Sequence, residues 1–449
     1  MKINFIKLLY GEENDMKNNK GITLVALVVT IVVLLILAGV SINLVLGNNG
    51  IIAKAQEAKT KSAEASENDL KGMNGLLSEM EGALAGNGGA GGSGTGTKVP
   101  AEATAETAPY FPDNTFTKKE GTIDTGLVIK DASGNEYVWV VVPRTTAVYK
   151  TTGLGKTAFT DADYTSIEKD LKDYTSTYVT RDGYSDTYVA DDKNVGWFAD
   201  ATAYNNLKNS MLKSIYENGG FYVGRYEAGI GTNRTSNIDK NSEEKYITPS
   251  TAPVTKADAY PYTYVTRTQA QNLASNVNSG TKTSSLMFGV QWDLVLAFMS
   301  KDTAKVTDTR KLTSNSTTIG NYRNSVFQLS QTGKYATMSD WSLSSTWNQS
   351  TKPTTNFVDS SRNKIAQSSD GNGILVTTGT SETNKVMNIY DIAGNVWEWT
   401  LEKTSNTSGP CTCRGGSFNG AGSSGPAAVR GINSPDSSSY GIGFRVSLF

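Results

Sequence analysis

The sequence predicts an α+β fold with many loops, attached to a long N-terminal helix. Three observations support this prediction. An uncharged apolar segment occupies residues 22–46, short apolar segments bounded by turn residues follow beyond residue 100, and two further segments have helical spacing. Ser, Thr, Asn and Asp dominate the stretches between these segments. We therefore expect few helices, short strands and long polar loops.

The N-terminal apolar segment, Ile22–Leu46, is long enough to cross a membrane. At about 1.5 Å per residue, a helix of this length spans a hydrocarbon core of about 30 Å. Lys17 and Lys20 precede it, and positive charges favour the cytoplasmic side. The sequence thus predicts a protein held in the cell membrane, with an extracellular head. A cleaved signal peptide would have a shorter core followed by a small-residue cleavage site, which is not evident here.

The residues at the start of this helix, KGITLVAL (Lys20–Leu27), resemble the processing site of type IV prepilins and pseudopilins. The resemblance implies a leader over residues 1–21, with Met16 as an alternative start, and cleavage between Gly21 and Ile22. It also implies other pilin subunits as partners in a type IV pilus-like fibre.

One position departs from the pattern of that family. The family has Glu at the place of Ala26, and this Glu assists subunit assembly. Assembly into a fibre and a permanent single-span anchor therefore both stay open.

Beyond the helix, composition divides the chain into three further parts. Residues 47–84 are rich in helix formers with apolar residues at helical spacing, which predicts an amphipathic stalk helix. Residues 85–99 are rich in Gly and predict a flexible linker. Residues 100–449 predict a folded head.

The head has short apolar segments that predict strands and two segments that predict helices. In the first helix, Thr266 is a predicted N-cap with Gln269 three residues later, which is the spacing of a capping box. The predicted strands are Tyr137–Val142, Gly220–Glu227, Ile374–Thr377 and Phe444–Phe449, and the predicted helices are Thr266–Ala274 and Ser285–Met299.

Composition excludes several classes of function. The net charge of −1 does not fit the basic excess of proteins that bind nucleic acids. The chain has no histidine, so Ser-His-Asp catalysis and His-ligated metal sites are excluded. Cys411 and Cys413 are too few for a disulfide framework. We interpret them as ordinary thiols near a strand, with a redox or metal role as the alternative.

The C-terminal part carries the most specific motifs. They are NIYDIAGNVWEWT (Asn388–Thr400), CRGGSF (Cys413–Phe418), AAVRGINSPD (Ala427–Asp436) and GIGFRVSLF (Gly441–Phe449). In this order they resemble the signature of the formylglycine-generating enzyme family, also called the sulfatase-modifying-factor family, which runs GNVWEW, then RGGS, then a single Arg, then GFR. The upstream segment GGFYVGRYEAG (Gly219–Gly229) also matches in type and order. The resemblance covers about residues 110–449 and implies a C-type-lectin-like fold.

Residues within these motifs also have predicted physical roles. Trp397 and Trp399 alternate along one strand, so both face the same side and can anchor a core. Gly415 and Gly416 allow a positive φ or a close backbone approach. Arg445 lies in the last strand segment and is expected to pair with a buried carboxylate, either Glu398 or Asp391.

The resemblance implies a calcium ion on the GNVWEW loop. Its ligands would be the side chains of Asp391 and Glu398 and the carbonyl groups of Gly394 and Val396. Calcium prefers such a mixture of carboxylate and carbonyl oxygens. The alternative is that both carboxylates only accept hydrogen bonds from loop amides.

The resemblance does not extend to the catalytic residues of that family. Catalytic members bind copper through two cysteines downstream of GGS, and a soft metal such as Cu(I) needs thiolates. Those positions correspond here to Gly420 and Gly425, while Cys411 and Cys413 precede the motif. We therefore expect no copper and no enzymatic activity, with an enzyme of altered chemistry as an alternative.

Two loops between the motifs, Asn419–Gly425 and Asn433–Gly441, have the composition of adaptable binding loops, with small polar residues and one Tyr. In the family these segments line the substrate cleft. Ordinary solvated turns are the alternative interpretation. Trp341 and Trp347 are further candidate aromatic anchors. The predicted ligand-binding residues are Asn419, Ser423, Ser424, Asn433, Asp436, Ser438 and Tyr440.

Together these features predict a non-catalytic binding protein displayed at the cell surface, as an adhesin or a minor pilin. Its ligand would be an extracellular glycan or protein. A structural pilin subunit with an inert head is the alternative. The mixture of Asn, Ser, Asp, Gly and Tyr in the two loops is also what a diversity-generating retroelement produces from adenine-rich codons. A hypervariable C-terminal binding site is therefore a further hypothesis.

Overall fold

The structure, a computed structural model, describes Val29 and residues 111–190, 198–235, 242–277, 283–339, 342–349, 356–367 and 373–449. The chain divides into two compact units, Met1–Gly92 and Ser93–Phe449, and every element below belongs to the second. The predicted leader, membrane helix, stalk and linker lie outside the described residues, apart from Val29, which is helical and exposed. Among the residues described, no helix combines the length and the apolar character needed to cross a membrane.

The largest sheet of the head is antiparallel and joins the end of the chain to its earlier strands. With strands numbered along the chain, its order is β1 (Thr117–Glu120), β2 (Val128–Lys130), β3 (Glu136–Val141), β5 (Gly220–Gly224), β21 (Val446–Leu448) and β8 (Ser284–Leu286). The predicted strands Tyr137–Val142 and Gly220–Glu227 are confirmed as β3 and β5, although β5 ends at Gly224.

A second sheet carries most of the C-terminal motifs. Its order is β19 (Arg430–Asn433), β18 (Cys411–Arg414), β17 (Trp397–Thr404) and β20 (Ile442–Phe444), and β4 (Tyr184–Ser185) also pairs with β17. The predicted strand Phe444–Phe449 is divided, because β20 ends at Phe444 and β21 begins at Val446. Arg445 therefore lies where the chain passes from the second sheet to the largest one.

A third sheet and three small strand pairs complete the strands of the described residues. The third sheet consists of β11 (Ser342–Leu343), β10 (Lys334–Ser339), β12 (Asn348–Gln349) and β14 (Ile374–Val376), with β10 paired to each of the others. The predicted strand Ile374–Thr377 is confirmed as β14. The pairs are β6 (Gly229–Ile230) with β7 (Tyr260–Pro261), β9 (Phe327–Gln328) with β13 (Asn363–Lys364), and β15 (Lys385–Val386) with β16 (Ile389–Tyr390).

The α-helices in the described part of the head are α1 (Asp161–Tyr174), α2 (Ala201–Asn218), α3 (Arg267–Ser275), α4 (Gly289–Met299) and α5 (Arg310–Thr313), and two short 3₁₀ helices span Ser176–Tyr178 and Glu382–Asn384. The predicted helix Thr266–Ala274 is confirmed as α3, and so is its capping box. The Gln269 amide donates to the Thr266 hydroxyl at 3.3 Å, and the Thr266 amide donates to the Gln269 side chain at 2.9 Å. Two backbone amides at the start of the helix, which have no carbonyl partner within it, are thereby hydrogen-bonded.

The second predicted helix, Ser285–Met299, begins later than expected. Its first residues form β8, where Ser285 pairs with Ser447, and α4 begins at Gly289. The carboxylate of Asp186 accepts the Gly289 and Val290 amides at 2.6 and 3.0 Å. The cap of this helix therefore comes from a distant part of the chain, which local spacing does not reveal.

The main hydrophobic core contains three fully buried tryptophans, Trp139, Trp292 and Trp399. The indole N–H of Trp399 donates to the Val265 carbonyl at 3.0 Å, so its polar atom is satisfied inside the core. Trp397 is only partly buried and packs against the same core, as the alternation along β17 predicts. A smaller cluster lies apart from it and consists of Met338, Leu375, Val396 and Phe418.

Candidate functional site

The centre of the GNVWEW motif is a buried ion pair, as predicted. The Arg445 guanidinium contacts both carboxylate oxygens of Glu398, with nitrogen–oxygen distances of 2.6 to 3.1 Å. Its remaining donors bind the carbonyl oxygens of Gly224 at 2.9 Å and Tyr390 at 2.8 Å. Arg445 and Glu398 are both fully buried. Burial raises the pKa of Glu398, and the Arg445 charge opposes this shift. The pair connects the second sheet to β5 of the largest sheet.

Two further buried carboxylates lie near this pair. Asp391 accepts the Gly379 amide at 3.1 Å and the Asn384 side chain at 3.3 Å, and burial raises its pKa to about 6. Glu227 accepts the Asn395 side chain at 2.6 Å and the Val396 amide at 3.2 Å. Burial, together with the charges of Asp391 and Glu398, raises the pKa of Glu227 well above its usual range. Sequence reasoning did not single out Glu227, although it lies in the matched segment GGFYVGRYEAG.

The two predicted carboxylate ligands of calcium already have partners inside the protein. Glu398 accepts hydrogen bonds from Arg445, and Asp391 accepts two amide donors. The Gly394 and Val396 carbonyl groups lie between these two residues along the chain. Within the described ranges, no group of three or more acidic or cysteine side chains is arranged to hold a metal ion. The bidentate guanidinium on Glu398 does not fit a calcium ion at that carboxylate, and calcium stays a prediction.

The first predicted binding loop, Asn419–Gly425, is fixed mainly through its backbone. The Gly420 carbonyl accepts the Arg323 amide at 3.0 Å. The Gly422 amide donates to the Asn324 side chain at 3.1 Å, and its carbonyl accepts the Ser316 amide at 3.0 Å. The predicted residues Ser423 and Ser424 are exposed. The side chains of Ser423 and Ser424 thus face solvent and take no part in the hydrogen bonds that fix the loop.

Two glycines bring the base of this loop close to the RGGS motif. Gly415 and Gly416 have φ values of 86° and 78°, as their predicted role requires. A Cβ atom at Gly416 would collide with the Gly425 carbonyl oxygen. Only glycine therefore permits this approach.

The second predicted loop, Asn433–Gly441, is partly exposed from residue 433 to residue 440. Its residues Asn433, Asp436 and Ser438 are thus accessible. The Ser434 hydroxyl donates to Asp436 at 2.7 Å, and the Ser439 carbonyl accepts the Tyr264 amide at 3.0 Å. At the start of the loop, the Asn433 side chain donates to the Cys413 sulfur at 2.8 Å.

The two loops are adjacent where Tyr440 of the second packs near Phe418, the residue before the first, with ring centroids 6.0 Å apart. Burial raises the pKa of Tyr440, and the Asn419 side chain opposes the shift. We call the surface of residues 419–425 and 433–441 the loop surface. Tyr440 of the second loop therefore lies beside the start of the first loop.

One of the two candidate tryptophans lies beside the loop surface. Trp347 and Tyr440 both pack on the small cluster that contains Phe418. Trp347 also meets Tyr260 edge to face, with ring centroids 4.9 Å apart. The other candidate, Trp341, lies outside the described residues, as do the predicted cleavage residues Gly21 and Ile22.

The two cysteines of β18, Cys411 and Cys413, are both buried. Burial raises the pKa of Cys413 strongly, so its thiol stays protonated. A thiol of this kind is a poor nucleophile and a poor metal ligand. Gly420 and Gly425 carry no side chain that could replace it.

Two features of the domain escaped sequence reasoning. Arg414 of RGGS and Arg430 are buried in a four-residue ion network with Asp293 and Glu402, with distances of 2.5 to 3.2 Å. Lys364 is buried, and its ammonium group donates to the carbonyl oxygens of residues 322, 323 and 325 at 2.7, 3.0 and 2.8 Å. The motifs contained both arginines, but nothing in the sequence pointed to Lys364.

Comparison with known proteins identifies the C-terminal part of the head. The family model described as the sulfatase-modifying factor enzyme 1-like domain matches residues 315–448. Residues 315–448 are therefore similar to a sulfatase-modifying factor domain. The family resemblance predicted for about residues 110–449 is supported over this range, which includes both predicted binding loops. The mixture of helices and sheets in the described residues fits the predicted α+β class.

Two solved structures are similar to this chain at low sequence identity. Treponema denticola variable protein 1 is 12% identical, with 51% of this chain and 84% of that chain covered and a TM-score of 0.25. A crystal structure of CarF is 13% identical, with 59% of this chain and 95% of that chain covered and a TM-score of 0.26. Among curated proteins, none matches this chain.

Proposed function

We propose that this protein is a non-catalytic ligand-binding protein of the cell surface, an adhesin or minor pilin, and that the loop surface is its binding site. The observation that carries the proposal is the packing of Tyr440, in the second loop, near Phe418, which directly precedes the first loop, with ring centroids 6.0 Å apart. Through it, two segments that are separate in sequence become one partly exposed surface. Such a surface combines small polar side chains with an aromatic anchor, which is the composition of adaptable binding sites.

The residues at the positions of the family's catalytic cysteines favour binding over chemistry in this proposal. Gly420 and Gly425 stand where the family's catalytic cysteines are expected, and the Cys413 thiol is buried with a raised pKa. The chain has no histidine to act as a base or metal ligand. An unrelated chemistry at the same surface would need a nucleophile or base of another kind.

The proposal places the head outside the cell, held through Ile22–Leu46 and a stalk over residues 47–84. Its ligand is an extracellular glycan or protein, and the exposed Ser423 and Ser424 are the kind of positions that a diversity-generating retroelement would vary. Sequencing the surrounding locus tests that last part, since a locus without a reverse transcriptase and a template repeat would contradict it.

The central test is binding by the full chain in a neutral detergent, applied to glycan and protein arrays. We expect a defined set of ligands, with signals that fall at least tenfold in Asn419→Ala and Ser424→Ala variants. Thr407→Ala is the matched control, because Thr407 is an exposed polar residue on the turn after β17. Equal signals from all the variants, or no signal above background, would favour the inert structural subunit.

A further inference from the structure

One cavity of the described residues is lined by none of the loop-surface residues. It measures about 400 Å³, within the range of small-molecule sites. Its walls come from the turn after α4, from α5, from the following loop and from the short helical turn Glu382–Asn384. The residues that matter for its chemistry are Lys305, Lys311, Thr318, Ile319, Glu382 and Thr383.

Two lysines give this cavity its charge. The Lys305 ammonium donates to the carbonyl oxygens of Lys385, at 2.5 Å, and of Glu382. The Lys311 ammonium donates to the Lys305 carbonyl at 3.1 Å. Each ammonium has three donors, so donors of both groups remain for a ligand. Neither lysine forms an ion pair with a carboxylate of the described residues.

The acidic residue in the wall is already engaged by other groups. The Glu382 carboxylate binds the Lys385 ammonium at 2.5 Å and accepts the Tyr390 hydroxyl. Burial lowers the pKa of Lys305, the Lys385 charge lowers it further, and the Asp302 and Glu382 carboxylates oppose the shift. An anion that accepted hydrogen bonds from the remaining donors of Lys305 and Lys311 would form charge-assisted bonds with both.

The remaining walls suit a hydroxylated ring. Thr318 and Thr383 supply hydroxyl groups, which both donate and accept hydrogen bonds. Ile319 and Ala304 supply apolar surface at the same cavity. A ligand with a carboxylate, several hydroxyls and an apolar ring face matches this combination.

We propose that this cavity is a second binding site, which takes an acidic sugar with its carboxylate held by Lys305 and Lys311. The site is distinct from the loop surface, so it can succeed or fail independently of the function proposed above. Its neighbour Ser316 donates its amide to the Gly422 carbonyl, so a sugar bound here would lie close to the base of the first loop.

Calorimetric titration of the full chain in neutral detergent tests the proposal, with glucuronate, galacturonate and N-acetylneuraminate as probes. Galactose serves as the neutral sugar and sulfate as the simple anion. We expect at least one acidic sugar to bind at least tenfold more tightly than either comparison ligand. Lys311→Gln should weaken that binding at least tenfold, because it removes a charge-assisted bond.

Two further variants show whether weaker binding comes from a lost ligand contact or from unfolding of the protein. Lys150→Gln is the matched control, since Lys150 is exposed and far from the cavity in sequence, and it should bind like the wild type. Thr318→Val should weaken the acidic sugar more than sulfate. Sulfate binding as tight as that of the sugars, unchanged binding in Lys311→Gln, or no binding of any acidic sugar would each overturn the proposal.

Discussion

The buried ammonium of Lys364 holds the turn that contacts the first predicted binding loop, and its removal should destabilise both. Lys364 lies on β13 and donates to three carbonyl oxygens of residues 322–325. The same turn contacts the loop surface through the Arg323 amide, which donates to Gly420, and the Asn324 side chain, which accepts the Gly422 amide. Lys364 is thus a positioning residue for a surface that it does not touch.

The size of the expected loss follows from the three carbonyl groups. The Tyr322 carbonyl also accepts the Ser325 amide, and the Arg323 carbonyl also accepts the Gln367 amide. Among the described residues, the Ser325 carbonyl accepts a hydrogen bond from the Lys364 ammonium alone. Leaving one buried acceptor unsatisfied costs about 1–3 kcal/mol, and the two other bonds are each charge-assisted. Since the variant no longer buries a charge, we expect Lys364→Met to lower the free energy of unfolding by about 2–4 kcal/mol.

The loss in Lys364→Met should also depend on pH. Burial lowers the pKa of Lys364 to about 7, below the value of about 10.4 in an unfolded chain. The unfolded state therefore binds more protons between these values, and the wild type gains stability as pH rises from 7 to 10. The variant lacks this gain, so the difference between the two proteins should grow with pH.

Urea unfolding at pH 7 and pH 9 measures both effects, and hydrogen exchange reports on the loop. The amides of Arg323 and Gly422 should exchange faster in Lys364→Met, while those of α2 should not. Lys150→Met, at an exposed lysine, is the control and should leave stability within about 0.5 kcal/mol. Unchanged stability and unchanged exchange in Lys364→Met would refute the positioning role.

Three further predictions concern the buried charges. Arg414→Met leaves Asp293 and Glu402 short of one partner in a buried network and should cost about 3–5 kcal/mol in urea unfolding; a loss below about 1 kcal/mol would contradict this. Burial raises the pKa of Asp186 to about 6, so the wild type should lose stability as pH rises from 4 to 6, and Asp186→Asn should show a flatter profile over that range. Because Glu398 already holds Arg445, Glu398→Gln should lower the melting temperature equally with calcium and with a chelator. A lower melting temperature seen only with calcium would instead support the predicted calcium ligands.

The sequence predicted those parts of the fold whose signals are local. The capping box at Thr266 and Gln269 defines α3 within four residues, and the uncharged run in β3 defines a buried strand. Helix α2 was missed even though Tyr204, Met211 and Ile215 form its buried face at helical spacing. The head contains many Asn, Ser and Thr residues, which are typical of loops, so the helical spacing of these apolar residues was not recognised. The late start of α4 depends on Asp186, which only tertiary structure brings to Gly289.

The candidate site was predictable where charged residues interrupt apolar segments. Arg445 lies between two buried strands, so a buried carboxylate partner was expected, and Glu398 was one of two candidates. Lys364 gave no such signal, because its partners are backbone carbonyls that any residue would supply. The cavity at Lys305 and Lys311 could not be predicted from the sequence either, because its walls come from segments that are far apart along the chain.

In the first loop, the groups that form its stabilising hydrogen bonds are different from the side chains that it exposes to solvent. The loop is held by the backbone of Gly420 and Gly422, through partners on residues 316 and 323–324, and by the close approach that Gly416 permits. Ser423 and Ser424 take no part in these bonds and are exposed. Since exposed side chains outside such contacts change stability little, these positions can vary in chemistry without altering the backbone beneath them.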